Sequence, residues 1–179
     1  AVEKKVLSLG AYGEGMDFFA LKGAVEAILG EIRAADVTFE APQIPNPSYH
    51  PGRCAQVLVN GQEVGVFGQI HPLVAQNYGV DAEFYCAELS VEALSQIRGG
   101  APVYQPLPKF PSVTRDIAVV CAEAVTVGEL EEAIRKGARG LLKEVSLFDV
   151  YRGKGVEDGK KSVAFNLVLR ADDRSLTSE

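Results

Sequence analysis

Between Asp116 and Arg170 the hydrophobic period changes from two to 3.6 and back to two, and that order leaves few folds open. Asp116 to Ala122 alternates Ile117, Val119 and Cys121 against Ala118 and Val120, which predicts a strand. Thr126 and Glu129 stand at the spacing at which each side chain takes up a backbone N–H at a helix start. Val127, Leu130, Ile134 and Ala138 then recur at helical spacing, and Gly137 and Gly140 mark the stop. Residues 144–151 read as a second strand, with Val145, Leu147, Asp149 and Tyr151 on one face and Ser146, Phe148 and Val150 on the other. Residues 152–159 hold three glycines and few apolar side chains, so they form a loop, and 161–170 is strand-like again. The order β-α-β-β opens a split β-α-β unit, which places this part of the chain in the α+β class.

The first hundred residues carry a second set of signals. Residues 4–10 suggest a strand. Asp17 suits the start of a helix whose apolar stripe is Phe18, Leu21, Val25, Ile28 and Leu29. Residues 42–52 hold Pro42, Pro45, Pro47 and Pro51 and read as a loop. Residues 54–59 and 63–70 flank Asn60-Gly61, the dipeptide that supplies the positive φ angles of a type I′ hairpin turn. Gly65 and Gly68 in its second strand point to a bulge or a close backbone approach. His71 begins the turn into a short helix closed by Gly79; a strand follows at 84–89, and Ser90 caps a last helix. Residues 98–108 hold two glycines and three prolines, a natural boundary that divides the chain into 1–102 and 103–179.

Three segments carry a pattern that propensity alone does not produce. They are Lys109-Phe-Pro-Ser-Val-Thr-Arg115-Asp116, Leu147-Phe-Asp149-Val-Tyr151-Arg152-Gly153, and Gly159-Lys160-Lys161-Ser162-Val-Ala-Phe. In this order they resemble the ferredoxin-like anticodon-binding domain of bacterial phenylalanyl-tRNA synthetase beta subunits. The Asp17-Phe-Phe-Ala-Leu-Lys-Gly23 segment, His50-Pro-Gly-Arg53 and Gly65-Val-Phe-Gly-Gln-Ile-His-Pro72 extend the resemblance over nearly the whole chain.

The resemblance implies that residues 1–102 are part of a degenerate, non-catalytic synthetase-like module, and that 103–179 are the anticodon-binding domain. It implies no catalytic residues, metal site or cofactor here; ATP and magnesium serve the holoenzyme on its alpha subunit. The implied partners are the tRNA(Phe) anticodon region and the alpha subunit, in an (αβ)2 assembly in the cytoplasm. The chain opens without Met, and Thr177 reads as a helix cap with no helix after it, so a piece cut at both ends is expected. A ferredoxin-like domain needs one more helix and strand, which would leave the strand from Asp116 at an exposed edge.

Composition narrows the chemistry. With 47% hydrophobic and 23% charged residues, the chain falls in the ordinary globular range, and no apolar run approaches a membrane span. Residues 1–102 hold only Arg33, Arg53 and Arg98, no GxxxxGK[ST] loop and no Glu-Arg after the Gly65–Gly68 strand, a poor set for gripping ATP phosphates. His50 and His71 have no cysteine or second histidine at ligand spacing. Cys54, Cys86 and Cys121 are scattered, which fits reduced structural thiols in the cytosol.

Net charge separates the halves. Residues 1–102 carry six Lys/Arg against twelve Asp/Glu, and residues 103–179 carry twelve of each. The second half is therefore the better side for an anionic partner, although weakly. Its candidates for RNA contact are Arg115, Tyr151, Arg152, Lys154, Lys160 and Lys161: cations for phosphates and an aromatic ring for an unpaired base. The plainer readings place Phe110 and Phe148 in the core, pair Arg115 with Asp149, and set Lys160 and Lys161 on opposite sides of one strand. A purely protein-binding scaffold, or a small-ligand domain with a concave pocket within 103–179, are the rival readings.

Overall fold

A short strand, β1 (Val6–Tyr12), is followed by Asp17, whose carboxylate accepts the Ala20 N–H at 2.7 Å and so caps α1 (Phe18–Glu31). The chain is seen in a computed structural model that describes residues 3–97, 99, 104 and 106–176, and it divides into two units, 1–103 and 104–179. After α1 the first unit adds β2 (Val37–Glu40), β3 (Tyr49–Val59), β4 (Gln62–Ile70), α2 (Pro72–Asn77), β5 (Phe84–Ser90) and α3 (Val91–Gln96). Its five strands form one antiparallel sheet in the order β1-β5-β4-β3-β2.

The apolar stripe of α1 lands where its spacing predicts. Leu21, Val25 and Leu29 are buried against Val57, Phe67, Ala87 and Leu89 of the sheet. Phe67 is the centre of this core; its ring stacks on Phe18 at 4.9 Å and meets Phe39 edge-on at 5.6 Å. The β3–β4 turn has φ of 51° at Asn60 and 74° at Gly61, as a type I′ hairpin requires. Gly65 and Gly68 show both expected features. A bulge lies between Val57 and Leu58 of the facing strand, and a Cβ on Gly68 would meet the Arg53 carbonyl oxygen and stand 2.7 Å from Cys54 Cα.

Two features differ from the sequence reading. The expected loop at 42–52 ends early, because β3 already begins at Tyr49. Tyr49 pairs with Ile70 and Cys54 with Gly68, so residues 50–53 face Gln69 alone. That wide irregularity accommodates Pro51, which cannot donate to a regular ladder. Strand β2 is missing from the sequence reading although Val37 and Phe39 alternate with Thr38 and Glu40; its four residues are held as an edge by pairing from Val37↔Val59 to Glu40↔Gln56.

The second unit contains β6 (Val113–Ala122), α4 (Val127–Gly137), β7 (Leu142–Tyr151) and β8 (Lys160–Leu169), with sheet order β6-β8-β7. The capping box is complete. Thr126 Oγ1 accepts the Glu129 N–H at 3.3 Å, and Glu129 Oε2 accepts the Thr126 N–H at 2.7 Å. Val163, Phe165 and Leu167 of β8 are buried beneath Val127, Leu130 and Ile134 of α4, beside Ile117, Val145 and Val150. Among the described residues β6 has a strand partner on one side only. Thr177 and Arg98 lie outside the described residues.

Strand β7 departs from simple alternation. Leu147 pairs with Phe165 and Asp149 with the adjacent Ala164, so Phe148 is an extra residue without a partner in the ladder. The bulge puts Val145 and Val150 on the same core face, although they are five apart. Phe148, expected in the core, is 59% exposed instead. The expected Arg115–Asp149 pair also fails. Arg115 lies opposite Leu167 on the helix side of the sheet, Asp149 opposite Ala164 on the other side, and Arg115 donates to the Thr114 carbonyl at 3.4 Å.

Candidate nucleic-acid interface

Strand alternation sorts the second unit's side chains into two faces. Ile117, Val119 and Cys121 of β6 share the helix side with Lys161, Val163 and Phe165 of β8. The opposite face carries Asp116, Ala118, Val120 and Ala122 from β6, Ser162, Ala164 and Asn166 from β8, and Asp149 and Tyr151 from β7. Among the described residues of this unit, α4 is the only helix, and it packs on the first face. The second face is therefore open within the unit. Val120 at 58% and Tyr151 at 46% exposed give it apolar and aromatic surface. Asn166 donates to Asp116 at 2.7 Å, which fixes one polar spot on that surface.

Beside the open face, the ends of all three strands are tied through Glu123, the residue after β6. Its carboxylate accepts Arg152 Nε at 3.0 Å and Nη2 at 2.6 Å. Its carbonyl accepts Lys161 Nζ at 2.9 Å, and its N–H donates to the Gly159 carbonyl at 2.9 Å. The Arg152 hydrogen bonds hold the Glu123 carboxyl below the usual carboxylate range, and Glu123 in turn raises Arg152. Between these anchors the β7–β8 loop folds back. The Tyr151 hydroxyl donates to the Lys154 carbonyl at 3.4 Å, and a Cβ at Gly153 would stand 2.7 Å from the Tyr151 hydroxyl oxygen. A larger residue at Gly153 would push the half-exposed Tyr151 ring aside.

The six candidates do not share one surface. Tyr151 belongs to the open face, and Arg152 and Lys154 to the adjoining loop. Lys160 begins β8 on the open side and is paired with Glu157 at 2.6 Å. Arg115 lies on the helix side. Lys161 is 8% exposed and spends its ammonium on the Glu123 carbonyl, so Lys160 and Lys161 do separate across the strand. The Lys154 ammonium has no ion pair among the described residues. Sequence reasoning missed Glu123 and Gly153. No local pattern marks Glu123, because its partners Arg152, Gly159 and Lys161 come from other strand ends and meet it only in the fold.

In the first unit the polar side chains are engaged in structure. His50 Nδ1 accepts the Gly52 N–H at 3.1 Å, and His71 Nδ1 accepts the Leu73 N–H at 3.2 Å, capping α2 as expected. Arg53 donates to Gln69 at 2.8 Å and to Glu83 at 3.2 Å, and the Tyr85 hydroxyl donates to Glu83 at 2.8 Å. Burial pushes the Cys54 and Cys86 thiols up, which lowers their thiolate fraction. Among the described residues no group of three or more His, Cys, Asp or Glu is placed to hold a metal. Two open cavities of about 260 and 290 Å³ lie between residues 69 and 84 of the first unit.

Comparison with known proteins follows the same division. Residues 1–91 match the family described as the phenylalanyl tRNA synthetase beta chain CLM domain, and residues 108–179 match the ferredoxin-fold anticodon binding domain. The chain is similar to the phenylalanine–tRNA ligase beta subunit of Symbiobacterium thermophilum, at 47% identity over 91% of this chain and 18% of that one. It is 38% identical to the Clostridium acetobutylicum subunit over 99% of this chain and 22% of that one. Identity to the Bacillus subtilis subunit is 43%, over 92% of this chain and 20% of the relative. The chain thus spans about a fifth of the length of these relatives.

Proposed function

The chain belongs to the family of phenylalanyl-tRNA synthetase beta chains, and from that premise we propose that its second unit docks the anticodon stem-loop of tRNA(Phe) while its first serves as a non-catalytic support for the alpha subunit. The observation that carries the RNA reading is the uncovered sheet face of the second unit, with Tyr151 exposed beside a loop bearing Arg152 and Lys154 and, at the start of β8, Lys160. Unstacked bases can lie on an aromatic ring and a shallow apolar sheet surface, and cations at the strand ends can meet the phosphates. Lys154 is the first phosphate contact in this reading. Arg115 and Lys161 stand on the helix side, away from this face, and Lys161 ties the strand ends.

The support role is favoured by how Arg53 is used: its Nη1 ties Gln69 of β4 to Glu83 before β5, which is a structural task. In the whole ligase, ATP and magnesium act on the alpha subunit, in an (αβ)2 assembly in the cytoplasm. No described helix is long and apolar enough to cross a membrane.

One observation favours a second reading, a scaffold that binds only protein: Arg152, Lys160 and Lys161 all have internal acceptors. A salt series separates the two. If RNA docks, tRNA(Phe) affinity of the chain falls linearly in log salt, with a slope of about −0.7 per single-strand phosphate contact. Affinity that ignores salt refutes the RNA reading and leaves the scaffold.

A further inference from the structure

Arg152 stands at the edge of the open face, and its guanidinium is already occupied. Glu123 takes its fork with both oxygens: Nε donates to Oε2 at 3.1 Å and Nη2 to Oε1 at 2.6 Å. A carboxylate and a phosphate offer the same pair of oxygens to a guanidinium, so the two ligands compete for one geometry. The pair is accessible from solvent, with side chains 55% and 49% exposed, so exchange needs no unfolding. An exposed ion pair of this kind is weak in water, whereas RNA offers several phosphates and releases counterions on binding. The backbone of Glu123 is held independently, through Gly159 and Lys161, so the strand ends stay tied when the carboxylate lets go.

The geometry points to Glu123 as an affinity-setting residue: its carboxylate stands in for an RNA phosphate on Arg152 in the free protein and is exchanged for one on docking. This rests on the RNA reading above. After exchange the Glu123 charge remains beside the phosphate and opposes it, which lowers the affinity of the site. No other charge has to move, because Lys161 stays on the Glu123 carbonyl and Lys160 on Glu157.

The test measures tRNA(Phe) binding to the full chain by fluorescence anisotropy over a salt series, for wild type, Glu123→Gln, Arg152→Ala and the double variant. Glu123→Gln keeps one acceptor for Arg152 and removes the charge. It is expected to bind about two- to fivefold tighter. Its salt slope should steepen by about one contact. The double variant should lose that gain. A fold defect weakens binding, so a gain cannot be produced by misfolding. If thermal unfolding shows Glu123→Gln to be damaged, Arg152→Lys takes its place: it keeps the charge, loses the fork, and should bind less tightly than wild type.

Unchanged or weaker binding by a folded Glu123→Gln overturns the exchange, as does a gain that persists in the double variant. Arg152→Lys binding as tightly as wild type overturns it too. Salt-independent binding by the wild type overturns the RNA reading itself, whatever the variants do.

Discussion

Truncating Phe67 should unfold much of what holds the first unit together. The side chain has no exposed surface and sits between the rings of Phe18 at 4.9 Å and Phe39 at 5.6 Å. Replacing a buried phenylalanine by alanine loses the transfer free energy of the ring and leaves a cavity, about 3–5 kcal/mol together. Each aromatic pair adds about 0.5–1.5 kcal/mol beyond area. Phe67→Ala therefore belongs in the upper part of that range, a large share of the roughly 5–15 kcal/mol that a domain has. Urea unfolding followed by far-UV circular dichroism measures it, since the chain has no tryptophan. The midpoint should fall at constant slope. Double-mutant cycles with Phe18→Leu and Phe39→Leu should show coupling to Phe67. Phe148→Ala, at an exposed ring, should change stability by no more than about 0.5 kcal/mol. A loss below about 1 kcal/mol for Phe67→Ala would refute the packing argument.

Gly68→Ala should cost about 1–3 kcal/mol in the same assay, because the new methyl meets backbone of β3 rather than a movable side chain. Gly128→Ala, in the first turn of α4 with nothing within 4 Å, should stabilise by about 0.5–1 kcal/mol. Thr126→Ala removes half of the capping box and should cost about 1 kcal/mol. Glu123, held by Arg152, Glu129, held by the Thr126 N–H, and Asp172, held by Lys143, all have lowered pKa values. At intermediate acid pH the unfolded chain thus binds more protons than the folded one. Their stabilisation is fully present above the ordinary carboxylate range and is lost as pH falls through the lowered values. Glu123→Gln should flatten that acid limb in a urea-midpoint series against pH, and an unchanged limb would exclude Glu123 as a contributor.

What was legible in the sequence is what short-range chemistry decides. Thr126 with Glu129, Asp17, Ser90 and Asn60-Gly61 each act on backbone groups within three residues, and each does so in the structure. The faces of β7 were not legible, because alternation across 144–151 is satisfied with or without an inserted residue. Only the register against Phe165 and Ala164 shows that Phe148 is extra. The start of β3 was hidden by Pro51 and Gly52, which argue against a strand unless the partner strand is known to yield. Within the candidate site, Tyr151 could be named as a strand-end aromatic. Glu123 could not, because its role depends on which strand ends meet in space.

Phe148 is in effect spliced into a ladder that runs without interruption from Glu144 to Leu147 on one side of it and from Asp149 to Tyr151 on the other. Its neighbours Leu147 and Asp149 already face consecutive positions on β8. Losing one amino acid from a sheet usually turns every later side chain over, yet excising this one would keep Val150 inward and Tyr151 outward. The strand can thus be shortened by one at that point without rewriting either of its faces.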